Sequence, residues 1–362
     1  VPNDIAVRLP QQQGSPAQEQ TAAPAREHRF DIDLMRLVCS ATIMLGHVGA
    51  QFILSTGNDP DNGAGSYWAG HIAEAINPFA VPLYFAIAGW AVLVGAPPRD
   101  SARMWQRVVR NTVPLFAWTA VYLVWAWLRN RNDRPMAELA EHSLFGSVQP
   151  AYHLWFMYTY IPIIMLLAFA MLIKAGKRPY GLGAALLGMA VLPSVLTTIT
   201  ELTDREMAPV AWGFGTYSLV YAVGGALLFA LPAGVVRKRW PLYAVLPLTM
   251  AGALWYNTQI HYVMPNAHLF VAAMSICVLL LISRIRVPEK WQPLLKRLAD
   301  AALGAYMVHV LFVEEIVRPL VSPDLSGPVA GLLLAGLVAT VMALSFATSL
   351  LWGKLNLRRL LG

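Results

Sequence analysis

The chain has 362 residues, 57% of them hydrophobic and only 13% charged. Soluble domains carry about a quarter charged residues, so this composition excludes a water-soluble enzyme and, with so much apolar content, a disordered chain. The formal net charge of +7 is better explained by the bias of basic residues toward cytoplasmic membrane loops than by nucleic acid, and no nucleic-acid partner is expected.

The first thirty residues, with Gln11, Gln13, Pro16, Gln18, Gln20 and Pro24 in an Ala-rich stretch without apolar period, predict a disordered cytoplasmic tail. Residues 31–362 predict one polytopic membrane domain, with no further domain expected behind it. A spanning helix takes about 20 mostly apolar residues. Ten stretches qualify: Asp33–Leu54, Asn77–Gly95, Thr112–Leu128, Leu154–Ile173, Tyr180–Ile199, Trp212–Leu231, Leu242–Thr258, Ala267–Ser283, Ala299–Val317 and Val329–Gly353. The expected fold is therefore an all-α membrane protein, a bundle of about ten transmembrane helices. Pro82, Pro114, Pro162 and Pro193 are tolerated because neighbouring helices re-satisfy freed backbone groups. With the N-terminus inside, 21 of the 27 Lys and Arg residues are cytoplasmic; only Arg129, Arg131, Arg134, Arg205 and Arg318 lie outside, and Arg36 lies in the first span. That split, and the even number of spans, put both termini in the cytoplasm. A bacterial plasma membrane is the expected location. Cys39 and Cys277 sit in apolar runs and read as buried small hydrophobes.

Ionisable side chains within spans are costly and are functional candidates. The first span carries Asp33, Arg36, Ser40 and His47. Eleven residues separate Arg36 from His47, close to three helical turns and about 16 Å along the axis, so both lie on one face. Such a stripe faces a polar cavity or other helices. An anchoring ion pair is the plain alternative for Asp33 and Arg36, and a packing histidine for His47. The functional reading of His47 is a general base, because imidazole titrates near neutrality and can take a proton from a hydroxyl.

After the second span, Arg103, Arg107 and Arg110 recur at i, i+4 and i+7 on one helix face at the cytoplasmic surface. A lipid-touching basic loop accounts for them; so does a phosphate clamp, since guanidinium matches phosphate oxygens bidentately. Within the second span, Tyr84 precedes Gly89, which stands where a close helix contact would need it. His153 and Trp155 open the fourth span from outside, where an aromatic belt explains the tryptophan but not the histidine. Tyr306 and His309 lie inside the ninth span, and Glu314 and Glu315 near its outer end read as facing water. No spacing of His, Cys, Asp and Glu points to a metal site.

These residues together resemble the integral membrane acyltransferase-3 family, which acylates carbohydrates and other hydroxyl acceptors. Arg36 and His47 match its first-helix pattern of a basic residue, ten residues and a histidine. Pro82-Leu83-Tyr84-Phe85-Ala86-Ile87-Ala88-Gly89 is similar to its second-helix motif, departing at Tyr84 and Ala88, where the family has Phe and Ser. Arg107 and Arg110 with Pro114, His153-Leu154-Trp155-Phe156, and Tyr306-Met307-Val308-His309 resemble its later motifs in the same order. The resemblance implies acyl-CoA, most simply acetyl-CoA, as a co-substrate from the cytoplasm, with no cofactor bound permanently. It implies an arginine clamp for the CoA phosphates. His47 is then the base or a transient acyl carrier, and Arg36 and Asp33 orient or charge the cavity. Ser40, Tyr84, Gly89, His153, Trp155, Tyr306 and His309 are the residues expected around the pocket and its acceptor side. The acceptor is a sugar or cell-envelope glycan, or alternatively a small secondary metabolite such as a macrolide. A proton-coupled transporter is the rival from another class, since histidines in spans also suit proton relays; it predicts repeated halves, and none is visible.

Overall fold

The computed structural model describes residues 28–203, 207–212, 216–232 and 234–362. The expected N-terminal tail, apart from its last three residues, lies outside the described residues, as does Arg205. All regular structure among the described residues is helical. It comprises α1 (Phe30–Ser55), α2 (Ala64–Ile76), α3 (Ala80–Trp90), α4 (Ser101–Leu128), α5 (Met136–His142), α6 (Trp155–Lys174), α7 (Tyr180–Thr203), α8 (Thr216–Ala230), α9 (Trp240–Gln259), α10 (Leu269–Ile282), α11 (Gln292–Phe312), α12 (Arg318–Leu320), α13 (Gly327–Lys354) and α14 (Arg358–Leu361). Six stretches are long and apolar enough to cross a bilayer: α1, Ala64–Gly95, α4, Gln149–Lys174, α7 and α13. Leu187, Leu227, Leu248 and Leu332 stand exposed on outer faces. In water this would be an aggregation surface; against lipid it costs nothing. The chain is an integral membrane protein.

Helix α1 lies at the centre of the packing. Met35, Cys39 and Ile43 join a core with α3, α8, α9 and α10. Met44, Val48 and Phe52 join another with α11 and α13. A third core forms around α4 and α6. The start of α1 is tied down by Asp31, which accepts two hydrogen bonds from the Arg29 guanidinium, at 2.7 and 2.6 Å, and one from the Arg284 backbone N–H at 2.6 Å. Acidic groups are also favoured in the first turn of a helix, where the backbone N–H groups are unpaired.

Three sequence expectations change. The segment before the second span was expected to be a connection, but it forms α2. Its Gly70 sits against Gly49 of α1 so closely that an added Cβ would lie 2.6 Å from the Gly49 carbonyl oxygen. Small residues allow this backbone approach, which drives helix association in lipid where burial alone does not. The third span was placed from Thr112, but its helix begins at Ser101, where Asp100 caps the Arg103 N–H at 2.8 Å. The arginine stripe and the span are therefore one continuous helix. Finally, Glu314 and Glu315 do not simply face water. Glu314 pairs with Arg131 at 2.8 Å and Arg318 at 2.9 Å, and Glu315 accepts from Arg129 and from the Trp125 indole at 2.8 Å. The Glu315 carboxylate in turn holds the exposed Arg129 guanidinium above its ordinary pKa.

Gly89 takes its place in a helix crossing. A Cβ there would lie 1.9 Å from the Ala222 carbonyl oxygen of α8, and one at Gly225 would lie 2.1 Å from the Ala86 side chain. The close-contact reading of Gly89 is the one these neighbours support. Gly89→Ala is expected to cost about 1–3 kcal/mol, the usual penalty of overpacking. A thermal-unfolding series in detergent, with Gly224→Ala as the control in open space, measures it.

Candidate functional site

Three histidines from three distant parts of the chain meet in the bundle. His47 of α1 and His309 of α11 have ring centroids 5.1 Å apart, and His309 and His153 are 5.2 Å apart. His153 arrives on a short 3-10 turn, Gln149–Leu154, that leads into α6. Carbonyl partners fix two of the three tautomers. His309 Nδ1–H donates to the Tyr306 carbonyl at 2.5 Å, and His153 Nε2–H donates to the Met307 carbonyl at 3.3 Å. The remaining nitrogens, His309 Nε2 and His153 Nδ1, are buried lone pairs without a partner. A carbonyl accepts only, so each of these two rings carries a proton on the bonded nitrogen.

His47 differs from both. It is half-buried, and its only hydrogen-bonding neighbour among the described residues is the Tyr152 hydroxyl, 3.5 Å from Nδ1, a long contact. Of the three imidazoles it is the least buried and the one whose tautomer no carbonyl fixes. Tyrosines wall the cluster. The Tyr306 hydroxyl donates to the His153 carbonyl, and Tyr122 donates to the Met307 carbonyl at 2.8 Å.

Toward the start of α1, Asp33 is buried and bound on both oxygens, by His28 at 2.6 Å and by Arg36 at 3.2 Å. The hydroxyls of Ser40 and Tyr84 lie 2.6 Å apart, and both reach the Arg36 carbonyl, at 2.9 and 3.1 Å. Tyr160 of α6 has Arg36 of α1 and Arg107 and Arg110 of α4 among its electrostatic neighbours. Arg107 donates to the Ala96 carbonyl, beyond a π-turn spanning Ala91–Gly95. Arg103 stands apart, 59% exposed and 3.8 Å from Asp100. The cations around Tyr160 are Arg36, Arg107 and Arg110.

Aromatic rings join this cationic end to the histidines. Tyr160 packs on Phe156 at 5.4 Å, Phe156 on Tyr84 at 5.8 Å and on Tyr306 at 6.1 Å, and Tyr306 on His309 at 5.7 Å. Trp155 packs on Phe156 at 6.4 Å but has no ring contact with the histidines. Sequence reasoning missed Tyr152, Tyr122 and Tyr160. Tyr152 adjoins His153, and that adjacency was the one signal available for it. Among the described residues no group of three His, Cys, Asp or Glu side chains could hold a metal ion.

No curated protein and no solved structure matches the chain. A family model described as "Acyltransferase domain" matches residues 29–352, which takes in every residue of the histidine and arginine clusters. The chain belongs to the acyltransferase-3 family.

Proposed function

We propose that the protein is a membrane O-acyltransferase of the kind that transfers groups other than aminoacyl groups. It moves an acyl group, acetyl in the simplest case, from cytoplasmic acyl-CoA to a hydroxyl of a sugar or cell-envelope glycan. The bundle has ten spans with both termini in the cytoplasm of a bacterial cell. Family membership supports the acyl chemistry. The single observation that carries the rest is the cluster of His47, His309 and His153 rings, joined through Tyr306 and Phe156 to Tyr84, whose hydroxyl reaches the Arg36 carbonyl, and to Tyr160.

In this reading the arginines hold the phosphates of acyl-CoA by charge-assisted hydrogen bonds. The pantetheine arm follows the aromatic seam, which brings the thioester to His47. His47 accepts the acceptor's hydroxyl proton as the oxygen attacks the thioester carbonyl carbon. The C–S bond then breaks, and the departing thiolate takes the proton from His47, giving ester and free coenzyme A. The Tyr152 hydroxyl, beside Nδ1, orients the His47 ring. Asp33 holds Arg36 in place between the phosphates and the seam.

Purified protein in lipid nanodiscs is expected to release thiol from acetyl-CoA faster when a hydroxyl acceptor is added, with one acetyl ester formed per thiol. Thiol release without ester, or no release at all, would contradict the proposal.

A further inference from the structure

Helix α2 carries a second polar group beside His47. Trp68, Ile72 and Ile76 line an outward apolar groove against α13, so a helix serving only to fill space would turn its remaining face inward as apolar side chains. It turns His71 and Glu74 inward instead. His71 is fully buried, and Glu74 is 8% exposed. Glu74 has no ion-pair partner among the described residues. Its one hydrogen-bond neighbour is the Asn77 side chain, whose carbonyl oxygen is itself buried and unpartnered. His71 Nε2 meets the Asn58 side-chain oxygen at 2.9 Å, and its Nδ1 is buried without a partner. On α1, Gln51 is 6% exposed, and its side chain has no hydrogen-bond partner among the described residues. Uncompensated polar groups in a span are costly and are kept for function.

The geometry sets these groups beside His47. The close approaches pair Gly46 with Asn77 and Gly49 with both Ala73 and Gly70, so α1 and α2 run antiparallel with backbones in contact. In an antiparallel pair of right-handed helices, the residue following each contact position emerges on the same side of the seam. His47 follows Gly46, Glu74 follows Ala73 and His71 follows Gly70. Gln51, four residues after His47, shares its face. Tyr152, which touches His47, and Tyr262 both have Glu74 as an electrostatic neighbour, and the Tyr262 ring stands 5.7 Å from His71. His47, Asn77, Tyr152 and Tyr262 are half-buried, forming a partly open rim around the buried carboxylate.

We infer that Gln51, His71, Glu74 and Asn77 form the acceptor subsite, built for a neutral polyhydroxyl ring of the sugar class. This rests on the acyl-transfer reading above. A carboxylate accepts hydrogen bonds from two neighbouring hydroxyls, the Gln51 and Asn77 amides both donate and accept, and a half-buried tyrosine offers a ring face. A sugar satisfies several of these groups while presenting one further hydroxyl to His47. A monohydroxyl acceptor leaves most of them unpaired, and that loss is what makes such sites selective.

The test uses the whole protein in nanodiscs and saturation-transfer NMR with methyl α-glucoside, methyl α-galactoside and methyl α-mannoside as probes. At least one glycoside is expected to show saturation transfer that 1-hexanol does not displace. Glu74→Gln, nearly isosteric, and Gln51→Ala are each expected to weaken that binding at least tenfold, while Gly224→Ala, in open space, leaves it unchanged. Absence of transfer from all three glycosides, or full binding by both subsite variants, overturns the assignment. Thiol release from acetyl-CoA is measured on the same samples. Sugar binding that depends on Glu74 in a protein that never releases thiol would sink the acyltransferase reading and leave a sugar site standing.

Discussion

His47→Ala lowers acyl transfer by about 10²–10⁴-fold, the usual contribution of a general base, and leaves acetyl-CoA binding within about twofold of wild type. The reason lies in the three imidazoles. His309 and His153 are fully buried and each spends one ring nitrogen on a backbone carbonyl, whereas half-buried His47 is the ring that an acceptor can reach. His47→Gln should fail as fully as alanine, because an amide keeps hydrogen bonding but cannot take the proton. His309→Gln is expected to be milder, since it removes a neighbouring ring and not the base itself. Single-turnover transfer with each purified variant separates these cases. Near-normal turnover in a folded His47→Gln protein would exclude base catalysis at this position.

The second large effect belongs to the donor end. Arg107→Ala and Arg110→Ala each raise KM for acetyl-CoA by about 10–100-fold, with a smaller change in kcat. A charge-assisted hydrogen bond contributes about 1.5–3 kcal/mol, and about 1.4 kcal/mol is a factor of ten. Arg103→Ala, whose side chain is largely exposed beside Asp100, is expected to change KM less than either neighbour. Coenzyme A lacking its 3′-phosphate identifies which arginine meets that group, because its affinity then responds less to that substitution. If all three single variants bind acetyl-CoA as wild type does, the stripe serves membrane topology alone.

The helical period made the first-span stripe legible. Arg36, Ser40 and His47 recur on one face of α1, and the structure keeps all three turned into the bundle's interior contacts. The gathering of the histidines was not legible from the residues. His47, His153 and His309 are more than a hundred residues apart in sequence, and only tertiary packing joins them; the family resemblance alone hinted at a common site. Helix α2 escaped notice for a physical reason. It is only 13 residues long, too short to span, and His71, Glu74 and two glycines break its apolar pattern; its position is set by glycine contacts with α1, which no periodicity reveals. The same holds for Gly89, whose role depends on Ala222 passing across it. Arg36 was read with His47, but its sharing of Tyr160 with Arg107 and Arg110 depends on where α6 falls. The apolar content, by contrast, fixed the class of protein at once, since 13% charged residues cannot coat a soluble particle.

The central claim is that acyl-CoA is held at the arginine end and its acyl group is delivered across part of the membrane to His47. Sealed vesicles of known orientation test it most directly. In inside-out vesicles, with the arginine end facing the medium, external acetyl-CoA should release thiol outside and acetylate a sugar acceptor trapped in the lumen, and His47→Ala should abolish both. Right-side-out vesicles should not turn over external acetyl-CoA. Equal turnover in both orientations, or transfer only when acetyl-CoA and acceptor share one side, would contradict the account.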